Sequence, residues 1–309
     1  MRETTQIART LVVGSAPVLN AALALIDSAV TAKVVTSPTE TVEHGEIAVL
    51  ETDATGGLES PPYGMTTAVS GAAAVDWLMT AGRLAMDGLV DGIATAPINK
   101  EAASMAGHVD IGHQEIYQSM TGAPQVVTML VTSGLRVVHL TTHRSLRIAC
   151  DYVTKENVLS KLRLTHEFFT GHGFTHPRIA AAALNPHAGE AGIIGSEEIE
   201  EIAPAVEAAK GEGIDATGPI SADAVFNQAI DGRFDVVLAM YHDQGHIPIK
   251  VHDWAASATM NLGLPFLRTS VDHGTAFDIA GQGIADATGM VQALRLAAVV
   301  AGKGSLAGF

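Results

Sequence analysis

The sequence predicts an α/β fold, and three observations carry that prediction. Short apolar runs alternate with helix-like segments from end to end, three of the runs are each followed within a few residues by a histidine, and no G-x-G-x-x-G opens a helix after a strand. The first observation speaks for strands joined by helical connections. The second puts reactive side chains just past the carboxyl ends of strands, where open α/β sheets gather them. The third removes the usual dinucleotide fingerprint, and with it an ordinary Rossmann domain.

In chain order, the apolar runs 11–13, 91–96, 125–131, 135–140, 178–184 and 234–240 read as strands. The clearest helix spans 196–210, where Ser196 can cap, Glu197 and Glu198 favour the positive helix end, and Ile199, Ile202 and Val206 form one apolar stripe. The Gly-rich, acidic stretch 51–64 reads as a solvated loop. Segment 11–26 is faintly like a signal-peptide core, but Gly14, Pro17 and Asn20 interrupt it and no cleavage site follows. No stretch reaches about 18 unbroken apolar residues, so no membrane span is expected.

With 309 residues, 47% hydrophobic and 17% charged, the chain can bury one large or two closely packed α/β domains. A net charge of −15 without a dense run of Lys or Arg argues against nucleic-acid binding. Any anionic substrate must be held by a few local cations. The single cysteine, Cys150, excludes an internal disulfide and fits a reducing cytoplasm. Walker-type phosphate loops, G-x-S-x-G elbows and Cys-based nucleophile motifs are absent from the sequence.

The three histidines past strand-like runs are His143 in LRVVHLTTH, His187 in RIAAAALNPH and His242 in DVVLAMYHDQG. Three imidazoles delivered in this way suggest one shared metal. A three-His set with open positions fits a catalytic ion, because a structural site would be closed by a fourth ligand, usually Cys. Ligand type alone allows Zn, Mn, Co or Ni. The plainer alternative is surface or satisfied core imidazoles, of which a chain with 13 histidines has many.

The motifs TAPINK (95–100), GHQE (112–115), TTH (141–143), NPHAGE (185–190), GPISADAVF (218–226), YHDQGHIPIK (241–250) and LGLPFLRTSVDHGTAFDIAGQGIAD (262–286) closely resemble those of the 4-hydroxythreonine-4-phosphate dehydrogenase family of vitamin B6 (pyridoxine) biosynthesis, with its threonate and erythronate 4-phosphate paralogues. The resemblance runs from roughly residue 10 to the end. It implies a two-domain fold like isocitrate and isopropylmalate dehydrogenases, with the active site in the cleft between domains. The implied boundaries are 1–103 with 260–309 for one domain and 104–259 for the other, which carries the metal ligands and dimer contacts. A homodimer is implied too, with His143, His187 and His242 binding a divalent ion, Mg included, and His242 donated across the interface.

Further roles follow from the resemblance. NAD is the implied oxidant, its adenosine set against 271–286, with Asp272, His273, Gly274, Thr275, Asp278 and Asp286 as the contacts. Gly274 would let the backbone approach the cofactor, or simply serve a tight turn. Arg268 is the implied phosphate ligand, completed by His113 and Gln114. Lys250 binds the substrate's anion or acts as base, the alternative being a solvent-facing lysine. Asp243 orients an imidazole, or serves the turn.

The chain departs from the family pattern in three places. The usual opening strand and Gly-rich turn, MGDPAGIGPE, has no counterpart, and a start set late is the expectation. The usual G-H-T-E reads Gly112-His113-Gln114-Glu115, and the usual Val-Asn-Val-Thr reads Ala258-Thr259-Met260-Asn261, so Gln114 and Thr259 stand at substrate-contacting positions. Changed polar contacts point to a changed substrate. The implied reaction is metal- and NAD-dependent oxidation with decarboxylation of a 4-phosphorylated 3-hydroxy acid. A cis-dihydrodiol dehydrogenase of aromatic carboxylate catabolism is the competing enzyme, disfavoured by Arg268, and a non-catalytic metal-binding protein is the competing class.

Overall fold

A computed structural model describes residues 7–55, 58, 63–302 and 306. The chain divides into two compact units, residues 1–124 with 264–298 and residues 125–263 with 299–309.

In the first unit, β1 (Leu11–Val13), β2 (Thr31–Val35) and β3 (Glu46–Leu50) form a parallel sheet in the order β1-β3-β2. The later strand β4 (Ile93–Thr95) pairs in parallel with β11 (Arg268–Val271), placing Arg268 opposite Ile93. Helices α1 (Ala16–Leu25), α2 (Ala68–Met86), α3 (Lys100–Met105) and α4 (His113–Thr121) belong here, as does most of α10 (Thr288–Ala301). The residues that disqualify 11–26 as a signal core have structural uses. Ser15 caps α1 through Val18 N at 3.3 Å, Pro17 sits in its first turn, and Asn20 Oδ1 accepts from Ala32 N of β2 at 2.8 Å. Thr67, Asn99 and Thr154 start their helices by the same side-chain capping. Gly71 lets α2 lie against α3, since a Cβ there would overlap the Ala102 carbonyl.

The second unit holds six strands in the order β10-β5-β6-β9-β7-β8. These are β5 (Val127–Thr132), β6 (Leu135–His139), β7 (Ile179–Ala182), β8 (Ala216–Ile220), β9 (Val236–Ala239) and β10 (Ala258–Leu262). A Ser133-Gly134 turn, with Gly134 at φ 73°, folds β5 and β6 into an antiparallel hairpin, and β10 also runs antiparallel to β5. Pairing is parallel from β6 through β9 and β7 to β8. Every residue of β6, β7 and β9 is buried, as strands covered on both faces require. Helices α5 (Leu146–Asp151), α6 (Lys155–Gly171), α7 (Ala203–Gly211), α8 (Ala222–Ile230) and α9 (His242–Asp253) complete the unit. Leu130, Leu135, Val137, Val237, Phe226 and Ile249 form one core cluster, each fully buried side chain contributing about 1.5–3 kcal/mol.

All six runs read as strands contain one. The sequence reading missed β2, β3, β8, β10 and β11: polar residues interrupt β2, β10 and β11, β8 includes Gly218 and Pro219, and β3 is a short apolar run behind Glu46. The helix expected over 196–210 is present, but it begins as a π-helical turn, Glu198–Ile202, that runs into α7. Pro204 follows, and without an N–H it cannot bond back along the helix. The expected stripe is therefore broken: Ile202 and Val206 are buried while Ile199 is 55% exposed. Ser196 does start this segment, through its carbonyl, which accepts from Ile199 N and Glu200 N. The loop at 51–64 lies partly outside the described residues, and what is described is not all solvated. Leu58 is buried, and Glu51 Oε1 accepts from Ala16 N at 2.9 Å. Among the described residues no helix is long and apolar enough to cross a membrane.

Candidate active site

The three strands preceding His143, His187 and His242 are neighbours in the second unit's sheet, in the order β6-β9-β7, and all run the same way. Their ends are cross-linked by two side chains. Thr141 Oγ1 donates to Met240 O at 3.0 Å. Gln244 Oε1 accepts from Met240 N and its Nε2 donates to Ala183 O, both at 2.7 Å, so the residues just past β6, β9 and β7 are held together. Gln244 is nearly buried, which strengthens these bonds and makes their loss costly.

His242 is the first residue of α9. Its Nδ1–H donates to Asp243 Oδ1 at 2.6 Å, which makes Nε2 the acceptor nitrogen of the ring. One turn on, His246 stacks on the His242 ring at 3.6 Å and 11°, and its Nδ1–H donates to His242 O. His139, buried beneath, lies 4.6 Å from the His246 ring. Burial, and then the His246 imidazole, hold His139 down at about 3, so it is neutral. Gly245 makes room for it, since a Cβ there would overlap His139 Nε2.

The His143 and His242 rings of one chain stand 5.7 Å apart, His143 exposed and His242 half-exposed, and imidazole is a donor that suits a borderline divalent ion. His187 is also exposed, but among the described residues no group of three His, Cys, Asp or Glu within one chain is placed to hold a metal. His187 begins a left-handed run: His187, Ala188, Gly189, Glu190 and Ala191 have φ between 44° and 77°. For the four that are not glycine this costs on the order of 1–2 kcal/mol each. Lys250, further along α9, places its Nζ 4.6 Å over the Trp254 ring. Thr259 lies in β10, half-buried.

In the first unit, Arg268 is 6% exposed and donates through Nε and Nη2 to Thr95 Oγ1 at 3.1 and 2.6 Å. Burial pulls its guanidinium down to about 10, and it is still charged at neutral pH. His113 begins α4, and its Nε2–H donates to Ala96 O at 3.0 Å. Burial first, then the charge of Arg268, press His113 to about 3, so the ring is neutral with Nδ1 left as an acceptor. Tyr117, on the same helix, is fully buried with no hydrogen-bond partner for its hydroxyl; burial raises it above the usual phenol range, and the nearby Arg268 charge only partly offsets this. No side chain caps α4, and Gln114 lies in its first turn.

The loop from Asp272 to Asp286 links β11 to α10. Thr275, Phe277 and Ala280 line a cavity of about 270 Å³ with Tyr63, Gly64 and Asn99. Asp278 lies in a short 3-10 turn, its carbonyl accepting from Gln282 Nε2 at 2.7 Å. Asp286 Oδ1 takes Thr288 N and Oγ1 at 2.8 and 2.6 Å, starting α10 and lowering its own pKa. His273 Nδ1–H donates to Gly274 O. Ala276, Gly281 and Gly283 are the left-handed residues of this loop, at φ 48°, 79° and 69°, whereas a Cβ at Gly274 meets nothing within 4 Å. The residues that sequence reasoning missed, Thr95, His139, Gln244, His246 and Glu198, are buried or half-buried partners whose roles appear only once strands are paired. Thr95, Gln244 and His246 lay inside quoted motifs, so a signal was present.

Comparison with known proteins adds the remaining findings. The family model described as pyridoxal phosphate biosynthetic protein PdxA matches residues 6–297. The 4-hydroxythreonine-4-phosphate dehydrogenase of Beijerinckia indica is 47% identical over 281 residues, covering 91% of this chain and 83% of that protein. The D-threonate 4-phosphate dehydrogenase of Pectobacterium atrosepticum is 42% identical over 295 residues, covering 94% and 89%. The crystal structure of 4-hydroxythreonine-4-phosphate dehydrogenase from Klebsiella pneumoniae aligns at a TM-score of 0.87 and 40% identity, over 94% of this chain and 90% of that one. With nearly its whole length matched by the family model and its fold shared with a solved member, the chain belongs to the PdxA family.

Proposed function

We propose that this dehydrogenase oxidises and decarboxylates a 4-phosphorylated 3-hydroxy acid, using NAD and a divalent ion, and that it prefers a sugar acid, threonate or erythronate 4-phosphate, to 4-hydroxythreonine 4-phosphate. The observation that carries the reading is the buried, charged Arg268 beside the uncapped start of α4. Guanidinium and helix N–H groups together suit a phosphate. A cis-dihydrodiol of an aromatic carboxylate would bring that charge a carboxylate and no phosphate.

His143 and His187 of one chain, with His242 of a second copy, would hold the ion. When bound, it supplies positive charge that favours loss of the hydroxyl proton and then of carbon dioxide, while NAD takes the hydride. The chain's own groups do the rest. Asp243 fixes the tautomer of His242. Lys250 binds the carboxylate or takes the hydroxyl proton, and the pH profile of a Lys250→Met chain separates the two roles. His113, donating through Nε2 to Ala96, offers Nδ1 only as an acceptor, so it suits a substrate hydroxyl better than a phosphate oxygen. The cavity lined by Thr275, Phe277 and Ala280 suits part of the NAD. A homodimer fits the exposed Ile247, Val251 and Trp254, which share one face of α9 and the turn after it.

The sugar-acid preference rests on Gln114 and Thr259, where the family pattern has Thr and Asn. Misplaced polar partners for a substrate amine or hydroxyl change discrimination by about 1–3 kcal/mol. Catalytic efficiencies on threonate, erythronate and hydroxythreonine 4-phosphates, read at the nicotinamide absorbance, test it. A clear preference for the last rejects the sugar-acid reading, and inactivity on all three rejects the phosphorylated-acid reading.

A further inference from the structure

We propose that Glu198 is the positioning residue of His187, a buried carboxylate that holds the left-handed turn in the shape that presents this imidazole to a metal. The proposal rests on the metal reading above. Glu198 is 2% exposed. Its Oε1 accepts from Leu184 N at 2.8 Å and Asn185 N at 2.7 Å, and its Oε2 from Asn185 Nδ2 at 2.9 Å. Asn185 Nδ2 also donates to Glu197 Oε2 at 2.7 Å. These contacts seize the chain where β7 ends, immediately before Pro186 and His187.

The same carboxylate lies against the turn itself. A Cβ built on Gly189 would stand 2.7 Å from Glu198 Oε2 and 2.9 Å from Gly195 O, so the middle of the left-handed run presses on the group that anchors its start. His187, Ala188, Glu190 and Ala191 disfavour this conformation on their own, and it persists only if the surroundings over-determine it. Glu198 itself opens the π-helical turn, whose Ala203 N bonds back to Glu198 O; such turns are a frequent mark of functional sites. Its three donors are neutral and two of them are main-chain N–H groups, so the carboxylate works here as a main-chain clamp. A glutamine keeps an acceptor for Leu184 N and Asn185 N but sets an N–H₂ against Asn185 Nδ2.

The test uses Co(II) as probe on the full chain, read by calorimetric titration and by its d–d absorption. Glu198→Gln is expected to weaken Co(II) binding roughly ten- to hundredfold, the range for an outer partner of a ligand, and to alter the absorption band while NAD affinity holds. In a His187→Ala background the same change should cost nothing further, because the clamp then has no ligand to position. Ala188→Gly, which accepts the left-handed conformation without support, should restore part of the affinity of Glu198→Gln. A loss equal in both backgrounds, no loss in either, or no recovery by Ala188→Gly overturns the proposal. If His187→Ala itself leaves Co(II) affinity unchanged, the metal reading fails and this inference with it; if His187→Ala weakens binding and Glu198→Gln does not, this inference fails alone. Should Glu198→Ala not fold, Glu198→Gln, which keeps the main-chain contacts, carries the test.

Discussion

His187 and His242 follow adjacent parallel strands of one sheet, yet the chain presents them by opposite means. His242 opens a helix, and its ring is fixed by its sequence neighbour Asp243 and by His246 one turn on. His187 sits in a left-handed turn whose start is anchored by Glu198, eleven residues later. A helix start places a ligand by local rules, at no strain. A left-handed turn of non-glycine residues needs support from elsewhere, and it should tolerate change less well in its surroundings.

The widest test of this comparison is loss of each imidazole in turn. His143→Ala, His187→Ala and His242→Ala should each lower turnover by at least about a thousandfold, with NAD affinity in direct titration nearly unchanged, since removing one ligand of a catalytic ion removes the charge that the reaction needs. Equal activity in any one of them removes that histidine from the site. Next in size is Arg268→Met, for which catalytic efficiency on the phosphorylated acid should fall by about 2–5 kcal/mol, the usual cost of truncating one partner of a buried charge pair. The loss should be much smaller on an unphosphorylated analogue, and a uniform loss on both would make Arg268 structural.

Asp243→Asn sharpens the comparison from the side of His242. Metal affinity should drop roughly ten- to hundredfold, and the drop should come without loss of folded stability, because the Asp243 partner is local and exposed. A last effect concerns folded stability and its dependence on pH. His113 and His139 both sit at about 3 in the folded chain, below the ordinary 6.5, so the unfolded chain binds more protons between those values. Stability should therefore fall as pH drops from about 6.5 toward 3, by up to about 1.4 kcal/mol per pH unit for the fully buried His139 and by less for the half-buried His113, and stay level above that window. Replacing His139 with Gln should reduce that slope in denaturant titrations; an unchanged slope assigns the pH dependence elsewhere.

Legibility followed the length scale of each interaction. The strand-end histidines and the runs preceding them were readable because a buried parallel strand is a continuous apolar run. β10 and β11 were not, since Thr259, Asn261, Thr269 and Ser270 interrupt their apolar pattern, and their burial depends on pairing with β5 and β4. The helix at 196–210 was readable, but its π-helical first turn, just before Pro204, was not. Glu198 was read as a charge favouring a helix terminus; its work as an acceptor for Leu184 and Asn185 depends on contacts 13 and 14 residues back along the chain. Gln114 and Thr259 were visible only against a family pattern, because nothing in their own chemistry marks a substrate position.

The pairing of β4 with β11 sets the order in which the molecule can be finished. Ile93 has its partner at Arg268, so during synthesis the edge of β4 waits for the whole stretch 125–263 to emerge, and that stretch holds all six strands of the second unit's sheet. Contacts so distant in sequence close late and slowly. The 125–263 part of the second unit, with its strand ends tied by Thr141 and Gln244, is thus able to fold while the ribosome is still working, before residues 299–309 complete the unit. The β4–β11 pair that buries Arg268 closes afterwards, so the guanidinium meets its Thr95 partner only late in synthesis.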